Sequence, residues 1–184
     1  MKLELQSLCL ALVVALSVVG SVPITAPAQG QQTPIAKIKS WFAKYDDIRR
    51  QAQMNPTERA KADTLLAKGI SIVMPGPDKV ESAQLFQVLE SKNSTAADQI
   101  KQLALYPETA DLHKGYFKYF SDAASLFGDY LRVQNNIMTT DPVTGKPLMG
   151  QLLNRKKNLE DLDAANKAMD ADLRNQFGIP PYRY

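Results

Sequence analysis

The chain contains one cysteine, one histidine and one tryptophan among its 184 residues. The cysteine, Cys9, lies inside an apolar run near the N-terminus and has no small-residue cleavage site just before it, which argues against a lipoprotein anchor. Removal of this N-terminal segment would leave a protein without any cysteine. Such a protein has no disulfide, no catalytic thiol and no thiolate metal ligand, and its core alone must hold it together.

The single histidine, His113, also limits the possible chemistry. A two-metal helical bundle needs Glu-x-x-His pairs on one helix face, but the acids before His113 are Glu108 and Asp111, at the wrong spacing. Phosphate-binding glycine loops and a Gly-x-Ser-x-Gly turn are absent from the sequence. We therefore predict no catalytic residue, no metal ligand and no bound cofactor, and an enzyme is the least favoured class.

Concentrated positive charge is also scarce. The formal net charge is only +3, and the longest basic run, Arg155-Lys156-Lys157, is soon followed by the acids Glu160 and Asp161. Lysine–acid pairs four residues apart are typical of a solvated helix surface. The sequence therefore predicts no binding to nucleic acid.

One long apolar run is present, at Leu8–Val19. The helix-breaking residues Gly20 and Pro23 follow it, and then the small-residue site Ala26-Pro27-Ala28. This order is that of a secretory signal peptide cleaved after Ala28. The alternative is a retained anchor, although 12 residues are short for a bilayer, which needs about 20. We predict cleavage of residues 1–28, export to the periplasm or the extracellular space, and no transmembrane span in the mature protein.

The rest of the chain has helical periodicity and no convincing strand pattern. Thr33-Pro34, Asn55-Pro56-Thr57-Glu58 and Pro77 look like helix starts. We predict a break at Lys92-Asn93-Ser94, followed by a short helix over 95–105. The prediction is an all-α protein, an antiparallel up-and-down bundle of four to five helices in which the last two are long and form a helical hairpin. After the signal peptide, the chain is predicted to comprise a linker over 29–33, one domain over 34–177 and a Pro/Tyr-rich tail over 178–184.

The segment from Pro107 to Met138 is predicted to be a long aromatic helix. Seven of the fourteen aromatic residues lie between Tyr106 and Tyr130. Helical spacing places one stripe on one face: Leu112, Tyr116, Tyr119 or Phe120, Ala123, Phe127, Tyr130, Gln134 and Ile137. Packing against the last helix would account for most of this stripe, which leaves Phe117 and, less clearly, Tyr130 for another role.

The last helix, predicted over 148–177, has a heptad seam with two polar members, Arg155 and Asn166. Polar residues in a seam fix the register of the two helices. We hypothesise that Arg155 lies buried against a carboxylate or an aromatic face. In the tail, Ile179 and Tyr182 either fold back onto the bundle or form part of an extended segment that a partner's groove can hold.

These features predict an exported, non-enzymatic protein that acts as a protein-binding or scaffold component of the cell envelope. Its partner would be another envelope or secreted protein, and the oligomeric state is left open. The alternative is a carrier of a small apolar ligand, such as a lipid, pigment or quinone, between the helices. The candidate contact residues are aromatic or arginine, the types that anchor interfaces: Tyr116, Phe117, Phe120, Tyr130, Arg155, Tyr182 and Tyr184.

Overall fold

A computed structural model describes residues 33–183, apart from the side chains at positions 66, 69 and 70. The predicted signal peptide over 1–28, linker residues 29–32 and Tyr184 lie outside the described residues. The chain from Thr33 onwards is one compact unit.

Five α-helices make up this unit, and the prediction of an all-α protein is confirmed. They are α1 (Ile35–Ala52), α2 (Pro56–Ala67), α3 (Pro77–Lys101), α4 (Ala110–Asn135) and α5 (Leu152–Phe177). Short 3₁₀ turns occupy Gly69–Ile72, Pro107–Thr109 and Met149–Gln151. In the described part of the chain the only β-type pairing is an isolated bridge between Thr140 and Pro147.

Local sequence signals fix several helix ends. The backbone N–H of Glu58 donates to Asn55 Oδ1 at 2.8 Å, and the backbone N–H of Asn55 donates to the Glu58 carboxylate at 2.9 Å. This reciprocal pair satisfies two N–H groups that the first turn of α2 leaves free. At the other end of the chain, α5 stops at Gly178, whose φ of +60° favours glycine.

The predicted helix break at Lys92-Asn93-Ser94 is wrong, because α3 continues through it without interruption. The Asn93 side-chain amide donates to the carbonyl of Leu89 at 2.7 Å, one turn earlier, so it does not compete for the helix backbone. The next turns bury Ala96 and Ile100 against α1, and this packing outweighs the weak helix preference of the polar residues. Asn93-Ser94-Thr95 also has the spacing of an N-glycosylation acceptor, but Asn93 is buried in the folded chain.

The core is organised around α4, which packs most extensively against α3 rather than against α5. One apolar cluster joins α1 to the end of α3 and the start of α4, and a second joins α2 to the start of α3. A third joins the end of α4 to Leu148 and Leu152. The seam residues Leu159 and Leu162 are only half-buried, so α5 contributes less apolar surface to the centre than its heptad pattern predicts.

Two contacts relate α4 and α5 along their length. Asp129 forms an ion pair with Arg155, and Gly115 lies against the side chain of Asn166. A later residue of α4 therefore meets an earlier residue of α5. These contacts are compatible with the predicted antiparallel hairpin.

Candidate functional site: an apolar cleft beside α4

The predicted contact residues do not gather on one surface. Tyr116 and Phe120 lie in the core, each no more than 3 % exposed. The ring of Tyr116 meets Tyr45 of α1 edge-on, with ring centroids 5.2 Å apart. Both residues are accounted for by packing between α1 and α4.

Phe117 lies on the solvent side of α4 and is 37 % exposed. Its neighbour Lys118 forms a surface ion pair with Asp122 at 2.5 Å. No other phenylalanine, tyrosine or tryptophan side chain of the described residues is classed as exposed. One aromatic ring among charged residues is a small contact area and does not form a contiguous apolar patch.

Tyr130 instead belongs to a stack of three rings that faces a cleft. The ring of Phe86 in α3 lies parallel to Tyr130 and Phe127 of α4, with centroids 5.0 and 6.1 Å away. Phe86 is buried, whereas Phe127 and Tyr130 are half-buried. The edge of the stack is therefore accessible from outside.

This stack forms the floor of an open cavity of about 220 Å³, which we call the apolar cleft. Four helices contribute to its lining. The lining residues are Met54, Ala62, Leu65, Ile72, Leu85, Phe86, Leu89, Tyr119, Leu126, Phe127, Tyr130, Lys156, Leu159 and Glu160. A second cavity of about 230 Å³ adjoins it and shares Met54, Leu89, Tyr119, Phe127 and Leu159. Together they approach the size range of small-molecule sites.

The polar groups of the cleft are few and lie at its edges. Lys156 and Glu160 form an ion pair on one side, both substantially exposed. Burial raises the pKa of the Tyr130 hydroxyl, an effect that Lys156 partly offsets, so this group is neutral at ordinary pH. The cleft thus offers apolar surface, two lining tyrosines, Tyr119 and Tyr130, and a screened ion pair. It has no convergent set of acid, base and nucleophile of the kind that hydrolytic chemistry requires.

Arg155 lies outside the floor of the cleft and has carboxylate partners. Its guanidinium forms ion pairs with Asp129 of α4 and Asp141 of the α4–α5 connection, so the expected carboxylate partner is present, but the Arg155 side chain is 32 % exposed and is not buried as expected. The other carboxylate oxygen of Asp141 accepts the backbone N–H groups of Val143 at 2.9 Å and Thr144 at 2.6 Å. The Thr144 hydrogen bond is the main reason why the pKa of Asp141 is lowered. Arg155 therefore fastens the connection to α4.

A buried charge network, which the sequence analysis missed, joins α1, α5 and the tail. Asp170 accepts from Arg49 at 3.2 Å and from Arg174 at 3.0 Å, and Arg174 also pairs with Asp46. The i, i+4 spacing of Asp170 and Arg174 was a visible signal. However, the same spacing recurs at exposed pairs of α5, so the pattern cannot show which pair is buried.

The tail folds back onto this network. Arg174 donates to the carbonyl of Pro180 at 2.8 Å, and Ile179 packs against the first core cluster. The guanidinium of Arg49 lies 4.0 Å from the ring centroid of Tyr182, within cation–π range. Tyr182 is half-buried there, and Tyr184 is outside the described residues.

Residues 33–183 also bear on metal binding and on membrane insertion. No group of three or more His, Cys, Asp or Glu side chains in this range is arranged to hold a metal ion. None of the helices described is both long enough and apolar enough to cross a membrane.

Comparison with known proteins gives no relative from which a function can be transferred. The chain matches no protein-family model, no curated protein and no solved structure.

Proposed function

We propose that this protein is an exported, non-enzymatic binding protein that holds a small apolar molecule in the apolar cleft. In the arrangement that we propose, the five helices form an up-and-down bundle with α4 and α5 as its antiparallel hairpin. Export rests on the signal-like sequence of residues 1–28. The single observation that carries the ligand proposal is the half-buried edge of the Phe86, Phe127 and Tyr130 stack in an open apolar cavity.

Exposure of this apolar surface to water is unfavourable, and a ligand that covers it removes that cost. Each Å² of apolar surface removed from water contributes about 25 cal/mol, so a ligand that buries ~200 Å² gains about 5 kcal/mol. Part of this gain offsets the translational and rotational freedom that the ligand loses on binding. Since a net gain of about 4 kcal/mol corresponds to a Kd of about 1 mM, we expect tight binding only for a ligand that buries more apolar surface. The flat rings of the floor favour a planar or conjugated ligand, because stacked aromatic contacts add to the burial term.

The test is titration with N-phenylnaphthylamine, an uncharged apolar probe whose fluorescence rises on leaving water. Ala62 lines the cleft from α2, and Ala62→Phe would fill it. Ala60 is exposed on the same helix, so Ala60→Phe is the matched control. We expect saturable binding at one site, an affinity at least about tenfold weaker in Ala62→Phe, and no change in Ala60→Phe. Equal affinities in both variants would contradict the proposal.

The protein-binding or scaffold role stays a prediction, and fewer of its candidate contact residues are available on the surface. Since Tyr116 and Phe120 are buried, the role rests on Phe117, the exposed ring of α4. If a partner protein binds this face, the Phe117→Ser variant should no longer capture that partner from envelope extracts. Binding of the fluorescent probe in the cleft should be unchanged. Equal capture by both forms of the protein would remove that support.

A further inference from the structure

Exposed aliphatic side chains are concentrated at one end of the molecule. Ten large apolar side chains are exposed among those that the structure describes, and six belong to the α4–α5 connection, the first turn of α5 or the entry to α3. These six, which we call the apolar tip, are Met74, Val80, Ile137, Met138, Val143 and Leu153. The two parts of the tip are joined, because the Gln134 amide donates to the Ile72 carbonyl and the Ser82 hydroxyl, each at 2.6 Å.

The exposure of these residues is built into a well-bonded turn. The backbone N–H of Asp141 donates to the Lys146 carbonyl, and that of Leu148 donates to the Thr139 carbonyl, each at 2.9 Å. The Arg155 guanidinium forms an ion pair with the Asp141 side chain. With the backbone fixed in this way, Val143 is 90 % exposed and Met138 is 79 % exposed. Connections usually present polar residues to water, so a structured turn that holds aliphatic residues outward indicates a surface that another phase or molecule covers.

The chemistry of the tip favours a lipid surface over a protein. Its six exposed side chains are all aliphatic. Lys79 directly precedes Val80, and the exposed Lys146 follows Val143 by three residues. Protein interfaces are enriched in aromatic residues, methionine and arginine and depleted in lysine. The tip has two methionines but no aromatic residue and no arginine. Aliphatic residues flanked by lysine suit the boundary of an anionic bilayer, where apolar groups enter the acyl region and ammonium groups meet phosphate. The acids near the tip each have a cation partner: Asp141 pairs with Arg155, Asp78 with Lys68 and Glu81 with Lys61.

We propose that the apolar tip docks the protein on an anionic lipid bilayer. Docking does not depend on the cleft being a ligand site, although it would bring the cleft close to the membrane. Tyr130 on the cleft floor lies five residues before Asn135, the last residue of α4, which along a helix is about 7.5 Å. A ligand drawn from the acyl region would thus have a short path to the cleft.

The experiment is co-sedimentation with vesicles of phosphatidylcholine, with and without phosphatidylglycerol. A chain that begins at Gln29 is used, so that the apolar run before it does not bind the vesicles. Since the compact unit from Thr33 onwards contains all three core clusters, this chain carries its own core. Retained far-ultraviolet circular dichroism confirms that each variant is folded.

The decisive variant is Met138→Ser with Val143→Ser, and its control is Ile35→Ser with Leu105→Ser. The control residues are 58 % and 67 % exposed, and Leu105 precedes α4 whereas Met138 and Val143 follow it. We expect the tip variant to bind phosphatidylglycerol vesicles at least about tenfold more weakly and the control to bind as the unmodified chain does. Lys79→Glu with Lys146→Glu should weaken binding to these vesicles, and added salt should remove the difference.

Two results would overturn the proposal. One is the absence of vesicle binding, or equal binding by the tip and control variants. The other is a concentration-dependent dimer, seen by sedimentation velocity, that the tip variant abolishes while no form of the protein binds vesicles. The second result would assign the tip to contact between copies of this chain.

Discussion

Gly115 is the residue at which α4 leaves room for a polar side chain of α5. A Cβ at this position would overlap the Asn166 side-chain oxygen and would lie 3.1 Å from its Cγ. Asn166 is 2 % exposed, so its side chain has little space to move. Gly115→Ala should therefore destabilise the protein by about 1–3 kcal/mol, less up to ~1 kcal/mol from better helix propensity.

Gly128→Ala is the matched control on the same helix. A Cβ there would lie 3.0 Å from the terminal oxygen of Glu90, which can swing aside, so only the favourable propensity change remains. Urea denaturation gives the free energy of unfolding of both variants. If Gly115→Ala proved as stable as Gly128→Ala, the packing argument at Asn166 would fail.

The contribution of Arg155 to stability depends on the burial of its partner carboxylates more than on its own exposure. Its side chain is 32 % exposed, but the partner carboxylates of Asp129 and Asp141 are only 5 % and 4 % exposed. Arg155→Met would leave Asp129 with only the partly exposed Arg132 and Asp141 with only its backbone N–H donors. A buried carboxylate that loses its cation is destabilising. We expect the melting temperature to fall by several degrees. Lys157→Met is the control, because it removes an exposed ion pair with Asp161. It should change the melting temperature by about a degree at most.

At the scale of elements, α4 holds the turn at Gly69–Ile72 in place through Gln134. The Gln134 amide supplies hydrogen bonds to the Ile72 carbonyl and to Ser82. Gln134→Leu would remove both hydrogen bonds and leave the Ile72 carbonyl only the Ser82 hydroxyl, 3.3 Å away. The loss of two hydrogen bonds should cost about 1–3 kcal/mol.

Amide hydrogen exchange can localise this effect. In Gln134→Leu we expect faster exchange over 69–76 and little change in α1, which packs in another cluster. Gln102→Leu, at an exposed position after α3, is the control and should leave the exchange pattern unchanged. Uniform acceleration along the whole chain would argue against a local role for Gln134.

At the scale of the whole molecule, stability should depend on pH in acid. Hydrogen bonds from Thr144 chiefly lower the pKa of Asp141. Burial alone would raise the pKa of Glu58, but hydrogen bonds from Lys92 and Asn55 lower it overall. Carboxyl groups with depressed folded pKa values bind more protons when unfolded, so they stabilise the fold above their ordinary pKa and lose that effect as pH falls. Asp46 acts in the opposite direction, since burial raises its pKa.

We therefore expect the free energy of unfolding to vary little between about pH 5 and 7 and to decline below about pH 4.5. Urea denaturation across this range measures it. Glu58→Gln should show a shallower decline than the unmodified chain, because one depressed group is removed. An identical decline in both would exclude Glu58 as a contributor.

The sequence determined the parts that depend on neighbours along the chain. Helical periodicity, the cap at Asn55 and Glu58, and the stop at Gly178 are local features, and they gave the all-α class and most helix limits. The spacing of α4 likewise separated Phe117 from the buried stripe, because side-chain direction follows directly from helix geometry.

Only the tertiary structure decided how each helix face is used. The sequence could not show that α4 packs mainly on α3 or that Asp170 and Arg174 are buried. Nor could it show that packing of the C-terminal part of α3 keeps this helix continuous through the polar residues near Asn93. These outcomes depend on which faces meet, and that is a sum of many weak contacts between residues far apart in the chain. For the same reason the apolar cleft, which four helices build together, has no signature in any one of them.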